Sequence, residues 1–212
     1  MGETRQAVMY AYEHHADDYD YFLKANDDTY VIVENLRYKL STKIPDEPFY
    51  MGRRFVKNSK TSYPSGGAGY VISRGALNII AKGILEGVEA CRSRNIPEDH
   101  AFGICADALG VLIIDSLDEH DLDCFHPFRP LYIIDKELID KNPWIHTYNY
   151  HPMKTGSDCC SDHTVSFHYI SPDWMYMMEY LIYHLYPYGI ARDLQQYDIL
   201  INMLKSTTDK LR

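Results

Sequence analysis

Asp27 and Asp28, in the stretch FLKANDDTYV, are adjacent carboxylates placed where an apolar run, Tyr21-Phe22-Leu23, gives way to a loop. At the carboxyl end of a strand in an α/β sheet, such residues face a crevice. Two carboxylates buried there without partners are costly unless a cation neutralises them, so the pair suits metal binding. It equally suits a turn and helix cap, because the acids and Thr29 come just before a helical pattern. A second acidic pair, Glu98-Asp99, follows Pro97 at the start of a helical stretch, where each acid favours the helix dipole by about 0.3–1 kcal/mol. In Ser65-Gly66-Gly67-Ala68-Gly69, glycines allow close backbone approach to a ligand, or simply a turn before a strand. His168 lies in a strand-like run, where a lone histidine is ordinarily a core or surface residue.

The elements that must position these residues follow from periodicity. Residues 3–16 carry Ala7, Val8, Ala11 and Tyr12 at helical spacing, and a strand over 19–24 follows. The acidic loop leads to a helix over 31–40, with Val33, Leu36, Arg37 and Leu40 recurring. After a turn at 46–48 come a strand over 49–55, the glycine loop, a strand over 70–72 and a helix over 74–82. A helix over 98–109 and a buried strand over 111–114 complete the alternation. Beyond His126-Pro127-Phe128 the pattern is irregular until a strand over 165–170 that carries His168. Ser171-Pro172-Asp173 caps a last helix with Met175, Met178, Ile182 and Leu185 on one face. Alternating strands and helices predict a doubly wound α/β sheet.

The 212 residues suit one domain or one large piece of a domain, and no internal repeat or low-complexity linker interrupts them. Net charge is -9 with no basic stripe, which argues against nucleic acid and other polyanions as partners unless a metal intervenes. Nineteen tyrosines provide aromatic faces with polar tips, as suited to sugar-binding surfaces as to cores. The five cysteines lack the paired CxxC spacing of structural zinc. Cys159 and Cys160, adjacent in a Gly/Ser/Asp-rich loop, suit bridges to two different partners or two thiols, depending on compartment. No apolar run approaches the roughly 20 residues that span a bilayer, and no signal peptide opens the chain. The expectation is a cytosolic protein or one whose targeting segment is missing.

Six blocks occur in one order: DYFLKANDDTYVIVENLRY, FYMGRRF, SGGAGYVISRGAL, IPEDHAFG, FHPF and CCSDHTVSFHY. Together they resemble the core 1 β1,3-galactosyltransferases within the inverting β1,3-glycosyltransferase family, over residues 5–189. The resemblance implies a GT-A fold, with residues 1–190 the C-terminal portion of the catalytic domain and 191–212 a helical tail. It implies UDP-galactose as donor, Mn2+ as cofactor, and GalNAc on Ser or Thr of a glycoprotein as acceptor. It further implies a Golgi type II membrane protein with a lumenal catalytic domain, a dedicated chaperone and a homodimer. By motif match, Asp28, Asp27 and His168 hold the metal, and Asp99 is the base that takes the acceptor hydroxyl's proton, with Glu98 as runner-up. Asn26, Gly66 and Gly67 match donor-binding positions. Trp144 in NPWIHTYNYHP and Tyr169 beside His168 fall to the acceptor. A Golgi lumen favours disulfides at Cys159 and Cys160, while Cys124 is a cysteine the pattern does not anticipate.

Two departures qualify the match. The family shows three consecutive acids where this chain has Asn26-Asp27-Asp28, so one charge is lost from the motif and metal affinity should fall. The likeness also begins directly before the metal-motif strand. The family's anchor, stem and first sheet strands, which carry much of the uridine pocket, are therefore expected to be missing, leaving a sheet edge and apolar surface open. Two other classes compete with the enzyme: a non-catalytic secretory-pathway chaperone or inactive copy, and a cytosolic carbohydrate-binding fragment. The persistence of Asp27, Asp28, Glu98 and Asp99 favours the enzyme over the chaperone.

Overall fold

In the computed structural model, which describes residues 2–57, 61–92, 95–142 and 144–188, alternating side chains build one sheet buried on both faces. Strands β1 (Tyr21–Lys24), β3 (Phe49–Gly52), β6 (Tyr70–Ser73) and β7 (Leu112–Ile114) lie in the order β1-β6-β3-β7. Tyr50, Tyr70 and Ile72 point to one face, where they meet Val8, Leu77, Ile80 and Phe102 from the helices α1 (Gly2–His15), α3 (Arg74–Leu85) and α4 (Glu98–Ala108). Phe49, Met51 and Val71 point to the other, against Leu36 and Leu40 of α2 (Val33–Leu40) and against Phe125 and Val165. Two-sided burial of a period-two pattern leaves no polar face on β3 or β6, as a covered sheet requires.

The pairing departs from a doubly wound parallel sheet. β1 and β3 both run antiparallel to β6, and only β3 with β7 is parallel in this sheet. The single strand expected over 49–55 is two strands. It breaks after Gly52, where a Cβ would sit 2.8 Å from the carbonyl oxygen of Gly69, and resumes as β4 (Arg54–Lys57), paired with β5 (Thr61–Pro64). Arg53 at the break is buried in an ion pair with Asp123 and donates through Nε and Nη2 to Asn149 at 3.1 and 2.9 Å. A buried charge pair at the corner holds the turn that separates the two strands.

Val31, expected to open the second helix, instead ends β2 (Tyr30–Val31), which pairs with β9 (Ser166–Phe167). The parallel pair β8 (Phe125–His126) and β9 completes this small sheet. The strand expected over 165–170 is therefore only β9, and His168 lies just past its end. The irregular stretch after Phe128 holds short helices α5 (Pro130–Ile134), α6 (Lys136–Asp140) and α7 (Trp144–Tyr148). Met1–Pro172 is one compact unit and Asp173–Arg212 a second. The second carries most of α8 (Pro172–Glu179), which runs on directly into one π-helical turn (Tyr180–His184), so the expected last helix widens after Glu179 and ends at His184. The tail expected over 191–212 lies outside the described residues.

Cys91 and Cys105 form a disulfide that ties a short 3-10 turn to α4, closing a loop of 14 residues, worth about 3 kcal/mol by chain entropy. The sequence pattern did not pair them. Cys159 and Cys160 bond each other rather than two distant partners, because both sulfurs are consumed within the pair. These bonds remove the free thiols that would have supported a cytosolic fragment. Cys124 is a buried thiol, pushed up in pKa by that burial.

His126, on β8, is fully buried and stacks on Phe167 at 4.7 Å. The Thr164 hydroxyl gives its proton to the Ser161 carbonyl, so it accepts from His126 Nε2 at 3.2 Å. Among the described residues Nδ1 has no partner, and a second ring proton there would find no acceptor among them. Burial, followed by the nearby Arg53 charge, accordingly pushes the pKa down to about 3 from the ordinary 6.5. A folded-state pKa below the unfolded value makes the unfolded chain bind more protons between the two, so stability falls as pH drops through that window. This group alone contributes a slope on the order of 1.4 kcal/mol per pH unit. His126→Phe should flatten the decline of urea midpoints between pH 7 and 4. An unchanged slope would show that His126 is not a source of acid sensitivity.

Candidate active site

The cleft forms where β1 ends, β6 begins and α4 starts. Past Lys24 the chain turns through Asn26-Asp27-Asp28, closed by the Thr29 amide donating to the Asn26 carbonyl at 3.2 Å. The Thr29 hydroxyl donates to the Gly67 carbonyl at 2.8 Å, and Ser166 donates to the Ala68 carbonyl at 2.5 Å. Two hydroxyls thus pin the glycine loop between the acidic turn and β9. At Gly67 the pinning is tight: a Cβ there would sit 2.2 Å from Cε1 of His168. Gly69 adopts φ 80°, a left-handed conformation that lets the loop enter β6.

Asp28 and His168 meet. His168 Nε2 lies 3.2 Å from Asp28 Oδ1, with side-chain exposures of 11% and 38%. The Asn26 amide nitrogen is 3.4 Å from the same ring nitrogen. Burial lowers the His168 pKa, opposed by the Asp28 charge and by a hydrogen bond to the Pro127 backbone. With Nε2 turned towards Asp28 and Asn26, the proton donated to Pro127 sits on Nδ1. A bare Nε2 lone pair and a carboxylate oxygen then face each other, and only a proton or a cation reconciles them. An octahedral hard cation with bonds of about 2.1 Å places adjacent ligands roughly 3.0 Å apart, so the pair fits one edge of such a site. Asp27 lines the cleft but does not join them: no group of three His, Cys, Asp or Glu side chains poised for one metal forms among the described residues. Of the three residues expected to hold a metal, Asp28 and His168 are in contact with Asn26 beside them, and Asp27 lines the cleft.

Across the cleft, Asp99 is gripped by backbone: Gly66 N–H donates to Oδ2 at 2.9 Å and His100 N–H to Oδ1 at 2.8 Å. Glu98 beside it is held differently. It accepts from the buried Tyr70 hydroxyl at 2.7 Å and pairs with Lys24 at 3.5 Å. Each oxygen of both carboxylates thus has one partner, and the two acids differ in kind of partner: a hydroxyl and an ammonium on Glu98, two backbone N–H groups on Asp99. The open volume is about 680 Å³, lined by Glu3, Lys24, Asn26, Asp27, Gly66, Gly67, Glu98 and Asp99 among others. A Cβ at Gly66 would lie 3.2 Å from Cβ of Asp99, a looser approach than that of Gly67 to His168, and the two neighbouring glycines join the two halves. Lys24 and Tyr70 are site residues the sequence reading missed. The available signal was a lysine immediately preceding an acidic turn.

Trp144 and Tyr169 come together in a second pocket of about 370 Å³, with Phe128, Arg129, Tyr132 and Asn142. The Phe128 ring lies 5.7 Å from Trp144 and 6.2 Å from Tyr169. They remain 41% and 55% exposed, which suits stacking against the apolar face of a sugar. Tyr169 has φ 57°, so the chain does not alternate sides after His168 as a strand would. The consecutive rings instead stack at 3.8 Å and connect this pocket to the Asp28–His168 pair.

A family model described as Fringe-like matches residues 3–171, which include every residue named in the cleft and the pocket. The chain is 43% identical over 188 residues to a Xenopus laevis glycoprotein-N-acetylgalactosamine 3-beta-galactosyltransferase 1, covering 88% of this chain and 52% of that protein. Against a human beta-1,3-glucosyltransferase identity is 31% over 109 residues, or 50% of this chain and 20% of the relative. Against the mouse beta-1,3-glucosyltransferase it is 29% over 135 residues, or 61% and 25%. The chain therefore spans about half the length of the Xenopus relative and a quarter or less of the other two. With the family model matching most of its length, the chain belongs to the Fringe-like family.

Proposed function

We propose that this chain carries catalytic machinery for transferring galactose from UDP-galactose, with inversion, to the 3-hydroxyl of GalNAc on Ser or Thr of glycoproteins. The reading takes the fold as GT-A and the cofactor as Mn2+. The observation that carries it is that the Asp28–His168 pair and the backbone-gripped Asp99 flank one glycine loop, with Gly67 against His168 and Gly66 against Asp99. The name of the Xenopus relative supports the choice of sugar and acceptor.

Asp28 and His168 would hold the cation, with the Asn26 side chain beside them. Bound there, it supplies neutralisation of charge on a diphosphate leaving group. Asp99 acts as general base. The Gly66 and His100 amides fix the plane of its carboxylate and leave lone pairs to accept the proton of the attacking hydroxyl. Trp144 and Tyr169 position the acceptor sugar by stacking, one ring away from His168. Two disulfides suit a Golgi lumen, to which a type II membrane anchor would deliver the domain. Among the described residues no helix is long and apolar enough to cross a membrane. A dedicated chaperone and a homodimer belong to the same reading.

The test is galactose transfer by the full-length protein from UDP-galactose to a GalNAc-bearing peptide, with and without Mn2+. A β1,3-linked product that requires the metal is expected. Absence of transfer, or transfer unaffected by chelation, would overturn the reading. Asn26→Asp is a sharper probe of the metal half. It places a carboxylate at the position whose amide nitrogen lies 3.4 Å from His168, so Mn2+ should bind more tightly, by roughly tenfold or about 1.4 kcal/mol. No change in a calorimetric Mn2+ titration would place Asn26 outside the metal's reach.

A further inference from the structure

We infer that Lys24 is a positioning residue that holds the two halves of the cleft at their working separation; this rests on the proposed galactosyl transfer. Its ammonium donates to Asn26 Oδ1 at 2.6 Å and to the Gly66 carbonyl at 3.1 Å, and pairs with Glu98 Oε2 at 3.5 Å. Two hydrogen bonds and one ion pair thus reach three segments: the acidic turn, the glycine loop and the start of α4. The turn leads to Asp28. The loop and α4 hold Asp99, because Gly66 is also the residue whose amide grips that carboxylate. One side chain therefore joins metal half to base half through two routes that both end at Asp99.

Charge gives the tie its particular character. Glu3, Asp27, Glu98 and Asp99 line the cleft, against Lys24 as the cation among the lining residues. Asn26 accepts from the ammonium without adding charge, so Glu98 is its ion-pair partner. The other Glu98 oxygen is fixed by the Tyr70 hydroxyl, which is buried in the core of the sheet. The ammonium is thereby anchored to rigid structure on one side only, and it draws the acidic turn towards α4. A carboxylate at position 26 would compete for the same ammonium and loosen that pull.

The test uses the full-length protein with Lys24→Met, Lys24→Arg, Glu98→Gln and the double variant Lys24→Met with Glu98→Gln. Lys24→Met should lower kcat by roughly tenfold or more while UDP and acceptor KM change less than about threefold. Lys24→Arg should recover most of the loss. The double variant should be no worse than Lys24→Met alone, since both changes remove one shared interaction. Hydrogen exchange provides a readout that needs no turnover. The Gly66 and Gly69 amides should lose about tenfold protection in Lys24→Met and regain it in Lys24→Arg. Lys24→Gln runs in parallel as a variant that keeps a donor, with the same direction expected. Additive losses in the double variant, unchanged exchange, or a rise in UDP KM as large as the fall in kcat would each overturn the inference. Loss of exchange protection in a protein that transfers no galactose would uphold the tie and defeat the catalytic reading instead.

Discussion

Replacing Asp28 by alanine in the full-length protein is expected to abolish Mn2+-dependent transfer, by more than about 100-fold, while leaving the fold intact. The loss follows from removing the carboxylate that meets the His168 imidazole at the site. The fold survives because Asp28 contributes to it through backbone, its carbonyl accepting from the Ile170 amide at 2.9 Å, and that bond needs no side chain. Its carboxylate is 38% exposed, so truncation opens no cavity. His168→Ala should lose activity equally but also some stability, since the ring packs on Gly67 and Tyr169. Circular dichroism and urea unfolding, run beside the transfer assay, separate the two effects. Full activity in Asp28→Ala would remove this site from consideration.

Asp99→Asn should lower turnover by roughly 10²–10⁴, the range expected for loss of a general base, with UDP binding preserved. The structure adds a second, measurable cost. Both carboxylate oxygens accept backbone N–H groups, and an amide can accept with only one end. Either Gly66 or His100 loses its acceptor, which costs on the order of 1–3 kcal/mol where the group is shielded from water. Urea midpoints should therefore fall modestly as kcat falls steeply. Glu98→Gln should be milder in kcat, because Glu98 is engaged by Tyr70 and Lys24 rather than presented to a substrate. Equal losses in UDP binding and turnover for Asp99→Asn would assign Asp99 a structural role.

The difference between what was legible and what was not lies in the range of the interactions involved. Strands β3 and β6 are readable because their side chains alternate between two cores, and α4 because Pro97 and two acids mark its start. The division at Arg53 is not, since nothing in FYMGRRF reveals that a partner for the arginine waits at Asp123. Nor does periodicity announce the antiparallel course of β6, which depends on loop geometry at both of its ends. Asn26 and His168 are separated by 142 positions, so their meeting appears only through the ordered resemblance of several blocks. The resemblance also favoured Asp99 over Glu98, but the physical ground for that choice, backbone grip against side-chain engagement, required the structure. Asp27 was expected among the metal ligands by motif match; in the turn Asp28 meets His168 while Asp27 lines the open cleft.

The contact between Gly67 and the His168 ring also dictates an order in which this site would decay over evolutionary time. While the imidazole is present, no side chain fits at 67, because even a methyl group would overlap Cε1 at 2.2 Å. Position 67 is thus under steric constraint only for as long as position 168 is under chemical constraint. In a gene copy released from selection for activity, substitution at 168 comes first and frees the glycine to vary. A surviving histidine over a drifted glycine would have its ring pushed out of place, whereas a surviving glycine beneath a lost histidine would be a folded site without its chemistry. This chain retains both residues, so neither step of that decay has occurred in it.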